Sequence, residues 1–101
     1  MRFAFSANAF RRFTIEQTID IVAGLGYQGI EIMADVPHAF PAHMTTHDLA
    51  NLRQALDRRG LVVSNLNAFM HHADGDTYHP TWIETRADLR RKRVDYTLAC
   101  I

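Results

Sequence analysis

At 101 residues the chain has room for one domain and no more. With 48% hydrophobic and 22% charged residues it has the composition of an ordinary globular protein, neither disordered nor membrane-embedded. Eleven basic and eleven acidic side chains cancel, so no global field draws the chain to nucleic acid or an acidic membrane.

The first predicted strand is RFAFSA, from Arg2. The FRRFT that follows has the arginine pair of an export signal, but Glu16 and Asp20 fall where such a signal needs an apolar run. No segment is apolar for the ~18 residues of a membrane span. The lone Cys100 has no intramolecular disulfide partner, and a cytoplasmic location is expected.

Thr14 with Gln17 three residues on is a capping-box pair that opens the first helix. Ile15, Ile19 and Val22 give it an apolar stripe, and Gly26 ends it. GIEIMA is the second strand, and DVPHAFPAHM is a loop whose two prolines exclude a central strand. Thr45 with Asp48 opens the second helix, with Leu49, Leu52 and Leu56 as its expected buried stripe and Gly60 as its stop. LVVSNLNAF is the third strand. A third helix is expected from about Thr85 to the end, with Val94, Leu98 and Ile101 at helical spacing.

Strand starts near 3, 29 and 61 are one βα unit apart, and hairpin turns are lacking, so a parallel sheet is expected. In such sheets binding and catalysis collect where strands end and βα loops begin. The polar residues sort to that rim: Asn8, Arg11 and Arg12, then Asp35 and His38, then Asn67, His71, His72, Asp74 and Asp76. The opposite connections, GLGYQ and RRG, are short and plain.

LGYQGIEI, MADVPHAFP, SNLNAF and HPTWIE together resemble the opening of sugar phosphate isomerases and epimerases with a xylose isomerase-like TIM barrel. That superfamily also holds endonuclease IV-type enzymes. The resemblance covers nearly the whole chain and implies an α/β fold in which residues 1–101 are the N-terminal (βα)3 portion, about three of eight units. It implies metal-assisted proton transfer on a sugar or sugar phosphate for the intact enzyme, with a divalent ion (Mn, Mg, Co or Zn) held by later strands. This chain alone is then expected to be silent, without cofactor, metal or catalytic residue of its own. The alternatives are a non-enzymatic partial barrel serving as an assembly unit, or an endonuclease IV-type nuclease.

Within that reading, substrate contact falls to Asn8, Glu31, Asp35, His38 and Asn67. Glu31 either faces substrate, pairs with a base, or ends in water; an unpaired charge inside a sheet is costly, so some partner is expected. His38 has the titration range to polarise a hydroxyl or carbonyl. Asp35 either joins it or caps the loop backbone. Adjacent His71 and His72 point apart on an extended chain, which argues against one metal gripped by both. An EF-hand begun at Asp74 fails, with His79 at its sixth position and Thr85 at its twelfth. Asn65 and Asn67 share a strand face, and Phe69 and Trp82 either stack on a sugar or pack internally. RRKR, residues 90–93, spreads around a helix and reads as solvated surface rather than a nucleic-acid patch. Strict alternation places Met33 and Val63 on one exposed face with Glu31, Asn65 and Asn67, and open sheet edges point to self-association.

Overall fold

A computed structural model describes residues 1–69 and 71–101 as a mixed α/β unit. Strand β1 (Ala4–Ser6) runs through a 3-10 turn at Ala7–Phe10 into helix α1 (Ile15–Gly24). Strand β2 (Gly29–Met33) leads through a second such turn, Pro41–His43, to helix α2 (Thr46–Arg59). Strand β3 (Val62–Asn67) and a long loop precede helix α3 (Ala87–Ala99).

The helix boundaries follow from local chemistry. Thr14 Oγ1 accepts from the Gln17 amide at 3.2 Å while Gln17 Oε1 accepts from the Thr14 amide at 2.9 Å. The Thr45 and Asp48 pair repeats this at 3.1 and 2.9 Å. Each box satisfies amide donors that a helix start leaves unpaired. Gly26 and Gly60, at φ +88° and +64°, take the left-handed turn that releases the chain from α1 and α2.

The three strands are parallel, in the order β1-β2-β3. Ser6 lies beside Glu31, and Glu31 beside Asn65. The ladder between β2 and β3 is not regular. Ile30 pairs with Val63 but Glu31 pairs with Asn65, so Ser64 is an unpaired bulge residue. This corrects the alternation argument for Val63, which stands opposite Ile30 on the helix-covered face. Met33 does lie on the Glu31 side, opposite Asn67, but it is fully buried rather than exposed.

Ile30 and Ile32 join Ile15, Ile19 and Val22 of α1 and Ala55 and Leu56 of α2 in one apolar core. An Arg59–Asp20 ion pair of 2.7 Å ties the end of α2 to the middle of α1. The stripe expected on α2 is buried only in part. Leu56 is inside, Leu52 half-buried, and Leu49 is 54% exposed beside the open flank of β3.

Helix α3 departs further from its sequence pattern. Leu98 and Ile101 point to solvent, whereas Arg93 and Tyr96 are the buried residues. Arg93 therefore leaves the solvated group that RRKR suggests, while Arg91 and Lys92 stay exposed.

Gly29 is held between both neighbouring strands. A Cβ there would stand 3.1 Å from Ala4 Cβ and 3.3 Å from the Val62 carbonyl oxygen. Overpacking of this kind costs about 1–3 kcal/mol, and the entropy gained by replacing glycine offsets about 0.4–1 kcal/mol. Gly29→Ala is expected to lower stability by about 1 kcal/mol in urea denaturation; an unchanged midpoint would show that β1 yields freely. Among the described residues, no helix is long and apolar enough to cross a membrane.

Candidate functional site

On the sheet face opposite α1 and α2, the register brings Ser6, Glu31 and Asn65 into a row across the three strands. Ser6 Oγ donates to Glu31 Oε1 at 2.5 Å and Asn65 Nδ2 donates to Oε2 at 2.7 Å. These bonds, Ser6 first and Asn65 next, hold the Glu31 carboxyl below its ordinary range against an opposing effect of burial, with Asn67 adding least. Glu31 is thus a charged acceptor at neutral pH, and its partners are neutral donors rather than a base. Asn65 is exposed and Glu31 half-exposed, so the row faces outward.

Asn67 lies on the same face one pair further along, with its Oδ1 accepting from the Phe69 amide at 3.0 Å. Asn8 follows β1 at the same end of the sheet. Its Oδ1 is buried without a hydrogen-bond donor among the described residues.

Asp35 and His38 lie at this end too, but both side chains are turned into loop packing. Asp35 is fully buried, and its carboxylate accepts from the amides of Val36 at 2.7 Å, His72 at 2.6 Å and Ala73 at 3.1 Å. It thereby pins the β3–α3 loop to the end of β2, which is the loop-capping alternative extended to a second loop. His38 Nε2 lies 3.1 Å from the Phe13 carbonyl and 3.3 Å from that of Phe10. Carbonyls only accept, so Nε2 carries the proton and Nδ1 is bare. Burial lowers the pKa of this ring, and the two carbonyl bonds only partly offset that. His38 is a neutral clasp between the β1–α1 and β2–α2 loops.

Three contributors were not evident from residue type alone. Ser6 is the nearest donor to Glu31; aligning the strand starts at Ala4 and Gly29 would have found it. Arg93 donates from Nε to the Pro80 carbonyl at 2.6 Å and from Nη1 to that of Phe69 at 2.9 Å. Tyr96 donates its hydroxyl to the Ala34 carbonyl at 2.6 Å. Together these two fasten α3 to the rim. The adjacent histidines do diverge: His71 is buried, while His72 Nε2 meets Thr77 Oγ1 at 3.0 Å.

Among the described residues, no three histidine, cysteine or carboxylate side chains converge as metal ligands. The neighbours of Glu31 are a hydroxyl and an amide that turn their hydrogens to it, which leaves the row one anionic ligand and no histidine, short of the three protein ligands of a catalytic zinc site. The residues present therefore do not fit the metal that the family resemblance implies, and no step through one is derived. What the row can do is accept hydrogen bonds at a fixed negative charge and donate from the second amide hydrogen of Asn65, since the one hydroxyl hydrogen of Ser6 is committed to Glu31. A scan of family models, a search of curated proteins and a search of solved structures each return no match to this chain.

Proposed function

We propose that the chain is a (βα)3 portion of a xylose isomerase-like TIM barrel acting on a sugar or sugar phosphate, and that its share of the work is substrate contact. The observation that carries this reading is the Ser6–Glu31–Asn65 row on the open face of a parallel sheet ordered β1-β2-β3. Alternating donors and a charged acceptor match the vicinal hydroxyls of a polyol, each of which both donates and accepts. Glu31 accepts from one hydroxyl while Asn65, Asn67 and Asn8 serve its neighbours. Glu31 is a weak base when its pKa is lowered, so it orients substrate and leaves proton transfer to groups elsewhere. Asp35 and His38 act at one remove, by holding the loops that frame the row.

A two-dimensional NMR titration of the chain with millimolar aldoses, ketoses and their phosphates tests this. Shifts are expected at Ser6, Glu31, Asn65 and Asn67, and Glu31→Ala is expected to weaken binding at least tenfold, the effect of losing charge-assisted bonds of about 1.5–3 kcal/mol. Absence of any perturbation in that row would overturn the reading. Binding of any member of that panel separates it from the second reading, a non-enzymatic assembly unit, which expects none. That alternative is favoured by the exposed apolar flank of β3, where Val63 is 51% exposed.

A further inference from the structure

Four ionisable side chains are buried together where β2 and the β3–α3 loop meet α3: Asp35, His71, Arg93 and Tyr96. Three of them have evident polar partners. Asp35 takes the loop amides, Arg93 the loop carbonyls, and Tyr96 the Ala34 carbonyl. His71 is the exception. It is 0% exposed, and neither ring nitrogen has a hydrogen-bond partner among the described residues.

Its ring is instead wedged edge-on against Tyr96, with centroids 4.5 Å apart, and against Phe40 at 6.0 Å. Phe40 in turn stacks on Tyr96 at 5.9 Å. The next two residues, His72 and Ala73, are the ones whose amides Asp35 holds. Beside Asp35 and Arg93, His71 is therefore the loop's own side chain packed between β2 and α3.

We propose that His71 is an acid-operated release for the β3–α3 loop, its protonation freeing the loop from Asp35 and α3. A neutral imidazole fits the aromatic wedge, whereas an imidazolium would be a second buried cation beside Arg93. The charged and titratable groups around it do not reverse this. From α3, Arg93 and Lys92 oppose a positive charge, Asp88 and Asp95 along the same cleft are ion-paired to Arg86 and Arg91, and the Tyr96 hydroxyl is committed to Ala34. From the loop, Asp74 favours one but is ion-paired to Lys92 at 3.7 Å. From the end of β2, the Asp35 carboxylate is already taken by three backbone amides. Across Phe40 stands His43, itself exposed.

Burial, reinforced by Arg93, lowers the His71 pKa below its ordinary 6.5. With the loop open, the ring titrates at that ordinary value. The seated state is thus fully favoured above pH 6.5 and loses ground as pH falls below it. Each unit below 6.5 raises the open fraction about tenfold until the pKa of the seated ring is reached.

The chain carries its own reporter, since Trp82 in this loop is its single tryptophan. Trp82 emission and amide exchange at His72 and Ala73, each rate taken relative to its chemical rate, are to be followed from pH 7.5 to 5.5. The exchange ratio is expected to rise in the wild type, by up to about tenfold, and to stay flat in His71→Phe, which keeps the aromatic wedge without a proton site. His38→Gln should keep the response, because that ring faces the α1 side. His71→Gln serves as a second neutral variant if the phenylalanine does not fold. The ring C–H resonances of His71 in the wild type give an independent readout, with a midpoint expected below 6.5. A wild type indifferent to pH, a neutral His71 variant as responsive as the wild type, or a seated His71 titrating at its ordinary value would each overturn the proposal.

Discussion

Arg93→Ala is expected to cost the chain about 3 kcal/mol, close to half of a stability near the lower end of the usual 5–15 kcal/mol range. The guanidinium is 3% exposed and bridges the Pro80, Phe69 and Ala68 carbonyls, at 2.6, 2.9 and 3.3 Å. It also lies 5.5 Å from the centre of the Tyr96 ring. Hydrogen bonds from a charged donor contribute about 1.5–3 kcal/mol net, and each buried acceptor left without a donor costs about 1–3 kcal/mol. Alanine removes all the donors at once and leaves a void beside Tyr96. Water entering that void would recover part of the loss, so the expected figure is well below the sum. Urea denaturation of the wild type, Arg93→Ala and Arg93→Lys measures it. Lysine keeps the charge but cannot span carbonyls on both sides, so it should recover less than half. A loss below about 0.5 kcal/mol, the range of ordinary surface changes, would mean that the loop is held without Arg93.

The 101-residue chain on its own is expected to self-associate through β3. This strand ends the sheet order, so the polar groups on its outer side lack a strand to pair with. Beside it lies an apolar groove of about 280 Å³ lined by Ile32, Met44, Leu49, Leu52, Val63 and Leu66. Burying each large apolar side chain contributes about 1.5–3 kcal/mol, while association costs about 4–15 kcal/mol in lost motion. With three or four such side chains from each of two copies, the midpoints of these ranges leave a balance of about −6 kcal/mol, which is weak binding with a dissociation constant on the order of 10–100 μM. Sedimentation over that concentration range should show a rising mean mass, and Val63→Lys should return it to monomer by putting a charge at the groove. A compact wild-type monomer at 100 μM with a sharp melt would mean that the groove and the strand edge need no cover.

The legible parts of this fold were those encoded within a few residues or repeated along the chain. Thr14 with Gln17, and Thr45 with Asp48, announce two helix starts because a capping box is a local device. The spacing of the strands announced a parallel sheet because every crossover needs a helix. Helix α3 was misread for a physical reason: hydropathy counts Arg93 as a surface residue, yet its charge is satisfied by carbonyls from a loop distant in sequence. Glu31 was recognised as needing partners, but naming Ser6 required the register between strands. Asp35 and His38 were placed at the right end of the sheet, while the direction of their side chains depended on backbone groups that carry no residue signature.

The bulge at Ser64 sets which length changes β3 can absorb. Removing Ser64 leaves Val63 opposite Ile30 and Asn65 opposite Glu31, so each residue that remains keeps its partner and its face. Removing Val63 or Asn65 instead lets Ser64 take the vacated pairing position, so the register holds but a hydroxyl replaces the groove valine or the amide beside Glu31. The strand thus carries one residue more than its pairing uses. A one-residue deletion anywhere from Val63 to Asn65 keeps the register, and only loss of Asn65 alters the polar row itself.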